Sequence, residues 1–341
     1  MRPEPGITLR DVAEAAGVHV STASRALDPD RSARVNAATA ARVRAQAARL
    51  GYRPDVIARG LRRGRTATVG VVVADLANPF LVAVLRGAEN VLEPRGFMPL
   101  IAETRDDPAN LRKALERLAD RRVDALITTA AIPAVSADLI AFAATEAPVV
   151  LAVRSLAGSG LPTVYPDEQL GGELVAGFLV QLGHRRLAQL CGPQQLATFA
   201  DRAKAFVATA SRLHAEVLPF DGVATEATFE EGRRLMGQLL AQASIRPTAI
   251  FVQNDPMAVG ALDVVKRSGL RCPEDISIVG YNDNPYMDQI CPPLTTVRLH
   301  SYEIGREAAT MCLALLKDEP VEDMPIAPEL IVRDSTARYP G

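Results

Sequence analysis

The sequence predicts an α/β chain in which a small all-α head, carrying a helix-turn-helix and a hinge helix, precedes two Rossmann-like subdomains with parallel sheets around a ligand cleft. Three observations lead there. Two short helical patterns flank Gly17 within residues 7–27. From Thr68 onward, β-branched runs alternate with helical patterns, the signature of parallel sheets covered by helices on both faces. The sign of the charge also changes between these regions. Residues 1–66 hold 13 Arg, no Lys and 6 Asp or Glu (net +7), so a whole-chain charge of −2 leaves −9 for the rest.

In the head, Thr8 is placed to cap a helix over 9–16, with Asp11 three residues on to close a capping box. Val12, Ala15 and Ala16 form its apolar stripe. Gly17 supplies a left-handed turn and Val18 the buried residue after it. A second helix, about Val20 to Leu27, turns Ala23, Ala26 and Leu27 inward and leaves Val20, Ser21, Thr22, Ser24 and Arg25 outward. Two helices about such a turn can place the second in a DNA major groove, although the same pattern also suits a hairpin that only packs. The basic charge favours the first reading, since phosphates are neutralised by clustered Arg.

Asn36 caps a third helix to Leu50, with Ala40, Val43, Ala47 and Leu50 on its apolar face and Gly51 at its end. Five Arg fall within Tyr52–Thr66. Pro54 can start a helix there of about two turns, too short to persist alone in water. Such a segment orders against phosphate, with Leu61 projecting as an apolar wedge for a minor groove.

The core begins with a strand at 68–75 and a helix at 79–92. Strand 98–103, helix 108–120, strand 124–130, helix 136–144 and strand 148–153 follow. A second series starts near Thr163 with helix 169–182, strand 186–192, helices 199–213 and 226–241, strand 248–253, helix 256–268 and strand 276–281. Ligands in such sheets bind beyond the carboxyl ends of the strands. The candidates there are Asp75 to Phe80, Arg154, Asp167, Thr198, Arg202, Asn254, Asp255, Asn282 and Asp283. Each alone also suits a helix cap or a loop hydrogen bond. Together they match a polyhydroxylated or anionic small molecule, whose buried donors and acceptors must all be paired.

Composition excludes other classes. The chain of 341 residues is 48% hydrophobic and 23% charged, as expected of a soluble globular protein. The N-terminus has no apolar signal region and no run reaches the length of a membrane span, so a cytoplasmic protein without membrane association is expected. The Cys residues 191, 272, 291 and 312 lack C-x-x-C spacing and read as buried, inert thiols in a reducing compartment. No P-loop, G-x-G-x-x-G, G-x-S-x-G or H-E-x-x-H occurs, and His184 reads as structural. No enzyme, metal or cofactor is expected.

VAEAAGVHVSTASRAL, LGYRPDVIARGLRRGRT, VGVVVADLANPF, LGHRRLAQLCGP, VQNDPMAVGAL, PEDISIVGYND and PPLTTVR stand in one order across nearly the whole chain. In this the sequence resembles the LacI/GalR family of bacterial transcriptional repressors, whose core is of the periplasmic-binding-protein-like I type. The resemblance implies a head at 1–52, a hinge at 53–66 and a two-lobed core at 67–341. The first lobe would take about 67–162 and 295–325, the second 163–294 and 326–341. It implies that the chain crosses between lobes three times, with TTVR and the helix 301–317 returning to the first lobe and 329–336 to the second.

By the same resemblance Val20, Ser21 and Arg25 read bases, Thr22 and Ser24 contact phosphate, and Ala58 and Leu61 enter the minor groove. Thr8 and Tyr52 complete the DNA-contacting set. His19 replaces a usual Ser, which removes a standard cap and offers a base or phosphate contact. Gly60 replaces a common Ser, loosening the free hinge. The effector set is Phe80, Asp167, Thr198, Arg202, Asn254 and Asn282. Asn282 stands where an Asp is common, Val223 where an aromatic platform under a sugar is common, and Leu196 where the purine-responsive member has Arg. Ala205 replaces a usual Gly.

The resulting expectation is a repressor whose partners are double-stranded operator DNA, a small-molecule effector (a sugar, sugar acid or polyol) and a second copy of itself. A palindromic site requires the homodimer, because one recognition helix reads too few base pairs. Leu81, Val84 and Leu85 are candidates for its surface, and no heptad extension follows Tyr339 to suggest a tetramer. The alternatives are a sugar-binding protein of the periplasmic type without DNA function, or an enzyme on a Rossmann-like core. The first would need a signal peptide and no basic head.

Overall fold

The computed structural model describes residues 7–28, 34–52, 65–242 and 246–339. The chain divides into two units, Met1–Thr66 and Ala67–Gly341. In the first, α1 (Leu9–Ala15), α2 (Val20–Leu27) and α3 (Ala37–Leu50) enclose Val12, Ala13, Ala16, Ala23, Ala26, Ala40, Val43 and Ala47. The capping box forms as expected: Asp11 N–H donates to Thr8 Oγ1 at 3.4 Å, and Thr8 N–H to the Asp11 carboxylate at 2.7 Å. Gly17 and Gly51 take left-handed conformations, with φ of 62° and 66°.

Two details of packing differ from expectation. Ala13 is buried where Ala15 was expected, and Val18 is only half-buried. Both Ala13 and Ala15 lie at helical spacing from the Val12–Ala16 pair. The direction from which α2 and α3 approach decides which flank is covered, and that is not a local property. The hinge with Ala58 and Leu61 lies outside the described residues.

The second unit carries two parallel sheets. In the first, β1 (Thr68–Val73), β2 (Met98–Glu103), β3 (Ala125–Thr128), β4 (Val149–Ala152), β5 (Thr163–Pro166) and β11 (Met324–Ile326) lie in the order β11-β5-β4-β3-β1-β2. Its connecting helices are α4 (Pro79–Leu92), α5 (Pro108–Asp120) and α6 (Ser136–Thr145). In the second sheet, β6 (Arg186–Leu190), β7 (Glu216–Val217), β8 (Ala249–Val252) and β9 (Ser277–Val279) lie in the order β7-β6-β8-β9. It is flanked by α7 (Glu168–Gln181), α8 (Ala197–Arg212), α9 (Phe229–Ala241) and α10 (Asp255–Arg267). Successive residues of β8 face opposite sides, as a pleated strand requires: Ala249 and Phe251 join one core, Ile250 and Val252 the other.

Three corrections concern connectivity and the dimer surface. The first sheet runs on through β5, which pairs in parallel with β4, so the first lobe extends beyond the boundary expected at 162. TTVR does not return to the first lobe. Its strand β10 (Thr296–Arg298) pairs antiparallel with β12 (Glu329–Ile331) and bridges to Val279 and Asn282 of the second. The return is made by α11 (Ser301–Leu315), which packs on α4 so closely that a Cβ on Gly305 would meet the carbonyl of Val84. Leu81 and Val84 are therefore buried within one chain, and Leu85 half-buried, rather than offered to a partner.

Residues after β12 do return to the second lobe, where Ile278 N–H donates to Ser335 O at 2.8 Å. The chain thus crosses three times: after β5, after β10 and after β11. Cys312 is buried and Cys191 and Cys272 half-buried, their thiols pushed up by burial to about 12, 11 and 12 respectively, but Cys291 is exposed, against expectation. His184 is structural: Nδ1 bonds Thr248 Oγ1 and Nε2 bonds Ala337 O, at 2.8 and 3.1 Å. Among the described residues no helix is long and apolar enough to cross a membrane.

Candidate nucleic-acid interface and effector site

The outer face of α2 carries a short hydrogen-bonded row. His19 takes over the cap that the absent Ser would have supplied, its Nδ1 accepting from Ser21 N–H at 3.2 Å. The expected loss of a cap is thereby corrected, since a ring nitrogen with a lone pair serves as well as a hydroxyl oxygen. The same nitrogen lies 2.8 Å from Ser21 Oγ. From the other side Arg25 folds back, donating through Nε to Ser21 O at 3.1 Å and through Nη2 to Ser21 Oγ at 3.3 Å. Val20, Ser21 and Arg25 are exposed, while Thr22 and Ser24 are half-buried. Arg42 of α3 donates to Ala16 O at 3.0 Å, tying the turn to the third helix. Tyr52 packs half-buried against the head core.

In the core, a buried polar network joins the carboxyl ends of the second sheet's strands to the N-termini of α7 and α8. Arg202 on α8 is 4% exposed and donates to Thr198 O (2.9 Å), Gln253 O (2.8 Å) and Glu168 Oε1 (2.6 Å). Its guanidinium carbon lies 3.9 Å from the Tyr281 ring centroid and 4.7 Å from that of Phe199. Tyr281 donates its hydroxyl to the other carboxylate oxygen of Glu168 at 2.7 Å. Small residues allow this approach. A Cβ on Gly171 would collide with the Tyr281 hydroxyl, and one on Gly172 with the Arg202 carbonyl and the Cβ of Ala205. Gly172 thus gives Ala205 the room that its departure from Gly requires.

Burial pushes the Glu168 carboxyl up, and the Arg202 charge and the Tyr281 hydroxyl oppose the shift. Burial also raises Tyr281, with the Glu168 charge adding to it. Next to this network Asp255 is fully buried. It accepts from Thr296 Oγ1 at 2.6 Å and from Asn284 N–H at 2.7 Å, and burial pushes its carboxyl up to about 7 against those bonds. Asp283 is clasped by Arg298 and Arg333, each at 2.7 Å.

The expected effector residues are placed unequally. Thr198 and Arg202 bond directly within the network, while Asn254, Asp167 and Asn282 are chain neighbours of its members Gln253, Glu168 and Tyr281. Asp167 and Asn254 also cap α7 and α10, accepting from Leu170 and Met257 N–H. Asn282 holds φ at 114°, a sparsely populated conformation of the kind that concentrates at functional sites. Phe80 stands apart in the first-lobe core. Of the other candidates, Asp75 accepts from Ala77 N–H in a turn and Arg154 pairs with Asp106.

A cavity of about 740 Å³ opens beside the network, lined by Asp167, Glu168, Thr198, Asp201 and Lys204 among others. Glu168, Gln253 and Tyr281 were not anticipated from sequence. Glu168 follows a capping Asp and reads as a second helix-start acid, and its partners lie 34 and 113 residues away. No group of His, Cys, Asp and Glu suited to a metal occurs among the described residues.

A basic helix-turn-helix unit joined in one chain to a two-lobed, polar-centred α/β unit defines a DNA-binding regulator with an effector-binding core. Residues 8–55 match the model for bacterial regulatory proteins of the lacI family, and residues 176–336 that for a periplasmic binding protein-like domain. The HTH-type transcriptional repressor CytR of Escherichia coli K12 is 33% identical over 343 residues, covering 99% of each chain. The solved lac repressor dimer bound to operator and the anti-inducer ONPF matches with a TM-score of 0.89 at 27% identity, over 98% of this chain and 100% of that one. The complex of the transcriptional regulator CelR with cellobiose matches at a TM-score of 0.71 and 29% identity, over 96% and 99%. The chain belongs to the lacI family of bacterial regulatory proteins.

Proposed function

We propose that this protein is a cytoplasmic transcriptional repressor that binds a palindromic operator as a homodimer and answers to a sugar, sugar acid or polyol in the core. The observation that carries the reading is the outward row of Val20, Ser21 and Arg25 within an N-terminal region, residues 1–66, of net charge +7. Val20, Ser21 and Arg25 read bases, Thr22 and Ser24 contact phosphate, His19 contacts a base or a phosphate, Thr8 and Tyr52 complete the DNA-contacting set, and Ala58 and Leu61 act in the minor groove. The hydrogen-bonding groups around Arg202, and a relative solved with cellobiose, support a polyhydroxylated effector. Coupling requires that the effector bind two arrangements of the lobes with different affinity, since equal affinity shifts nothing.

The test begins with selection of a binding site from random duplexes, followed by anisotropy titrations at fixed salt. A palindrome with half-sites about one helical turn apart is expected. Leu61→Ala should lose specific affinity and keep non-specific binding, whereas equal loss on both DNAs refutes the hinge role. A thermal-shift screen of sugars, sugar acids and polyols then addresses the core. A true effector at 100 times its Kd stabilises by about 2.7 kcal/mol. Recovery of no preferred sequence would overturn the operator reading.

A further inference from the structure

We propose that Glu168 makes the effector pocket selective for uncharged polyhydroxylated ligands, because it holds Arg202 as a neutral pair that offers hydrogen bonds without net charge. The inference rests on the reading of Arg202 as an effector contact and narrows the ligand class within it. Both Glu168 oxygens accept, one from Arg202 Nη2 at 2.6 Å and the other from the Tyr281 hydroxyl at 2.7 Å, the pattern of a carboxylate. The two side chains are 4% and 8% exposed, so water screens neither charge.

Arg carries five N–H donors. Three are used by Thr198 O, Gln253 O and Glu168, which leaves one on each terminal nitrogen for a ligand. A sugar or polyol hydroxyl can accept either without changing the charge of the site. A ligand carboxylate at the same nitrogens would stand close to the Glu168 carboxylate, and two such groups in one buried site cannot both stay ionised without penalty. The cavity that reaches Glu168 and Thr198, though not Arg202 itself, is also acidic. Asp167, Glu173 and Asp201 line it along with Glu168, against the single cation of Lys204.

Two measurements test this, one with organic ligands and one without. The first is calorimetry at pH 7.5 with matched pairs: glucose and glucuronate, galactose and galacturonate, glucitol and gluconate, ribose and ribonate. In every pair that binds, the neutral member is expected to bind at least tenfold more tightly, and Glu168→Gln should narrow or reverse the ratio. An acid that outbinds its neutral partner on the wild-type protein overturns the proposal. If no pair binds, the polyhydroxylated reading fails, and the charge claim is judged by the second measurement alone.

That measurement is the melting temperature in sodium sulfate against sodium chloride of equal ionic strength. Glu168→Gln, which leaves Arg202 uncompensated, is expected to gain several degrees from sulfate beyond the wild-type response. The Glu168→Gln/Arg202→Gln double variant should lose that gain. A wild-type sulfate response that disappears in Arg202→Gln would show that Arg202 already acts as an anion site, and would refute the inference even if Glu168→Gln did not fold. A Glu168→Gln protein that folds with no extra sulfate response refutes it as well.

Discussion

The two lobes of the core are built from similar strands and helices but bury different chemistry. In the first lobe the buried polar side chains are hydroxyls that bond nearby backbone. Ala74 N–H donates to Thr129 Oγ1, Ala130 N–H to Thr128 Oγ1, and Thr104 Oγ1 to Val73 O. The second lobe buries Glu168, Arg202, Gln253, Asn254, Asp255 and Asn284. Ionisable groups are costly to bury unless paired, and a low dielectric makes each remaining bond more sensitive to its partner. The first lobe is thus held by shape, whereas the second also depends on the pairing of buried polar groups.

Removal of one charge from the second lobe should have the largest effect. Arg202→Ala leaves Glu168 buried without its partner, and the expected loss is about 3–5 kcal/mol in urea unfolding. The ligand response should vanish, and a variant that retains both stability and response would dissolve the contrast between the lobes.

The second test is pH. Asp255 stands at about 7 in the folded chain against an ordinary value of 3.8, so between about pH 4 and 7 the folded state holds a proton that the unfolded state has released. Its contribution to stability therefore falls as pH rises through that window, by up to about 1.4 kcal/mol per pH unit. Chemical unfolding of Asp255→Asn at several pH values should show this part of the slope removed.

The first lobe should answer to shape rather than charge. Gly305→Ala forces α11 away from α4 and is expected to cost about 1–3 kcal/mol, independent of pH, in the same unfolding assay. The smallest effect belongs to the head. Thr8→Ala removes the capping box and about 1 kcal/mol of head stability, visible as a lower melting temperature of the free protein that operator DNA partly restores.

How far these features could be read from sequence follows the range of the interactions. The caps at Thr8 and Asn36, the turn at Gly17 and most strand and helix centres depend on residues within one or two turns, and all are found where the spacing placed them. The choice of Ala13 over Ala15, the burial of Leu81 and Val84 under α11, and the attachment of β10 to the second lobe depend on elements distant in sequence. At the candidate effector site, Arg202 and Thr198 were legible because they match effector-contact positions of the family that the sequence resembles. Glu168 and Tyr281 were not, because no local pattern shows that a helix-start acid and a strand-end phenol meet.

By itself, then, the sequence determined the kinds of elements, the basic N-terminal region and the alternation that builds two parallel sheets. Those follow from short-range periodicity, capping and composition. The tertiary structure decided which apolar stripe is buried, to which lobe each crossing strand belongs, and that the Arg202 charge is matched by Glu168. A charge balance is a property of groups brought together in space, and chain order does not record it.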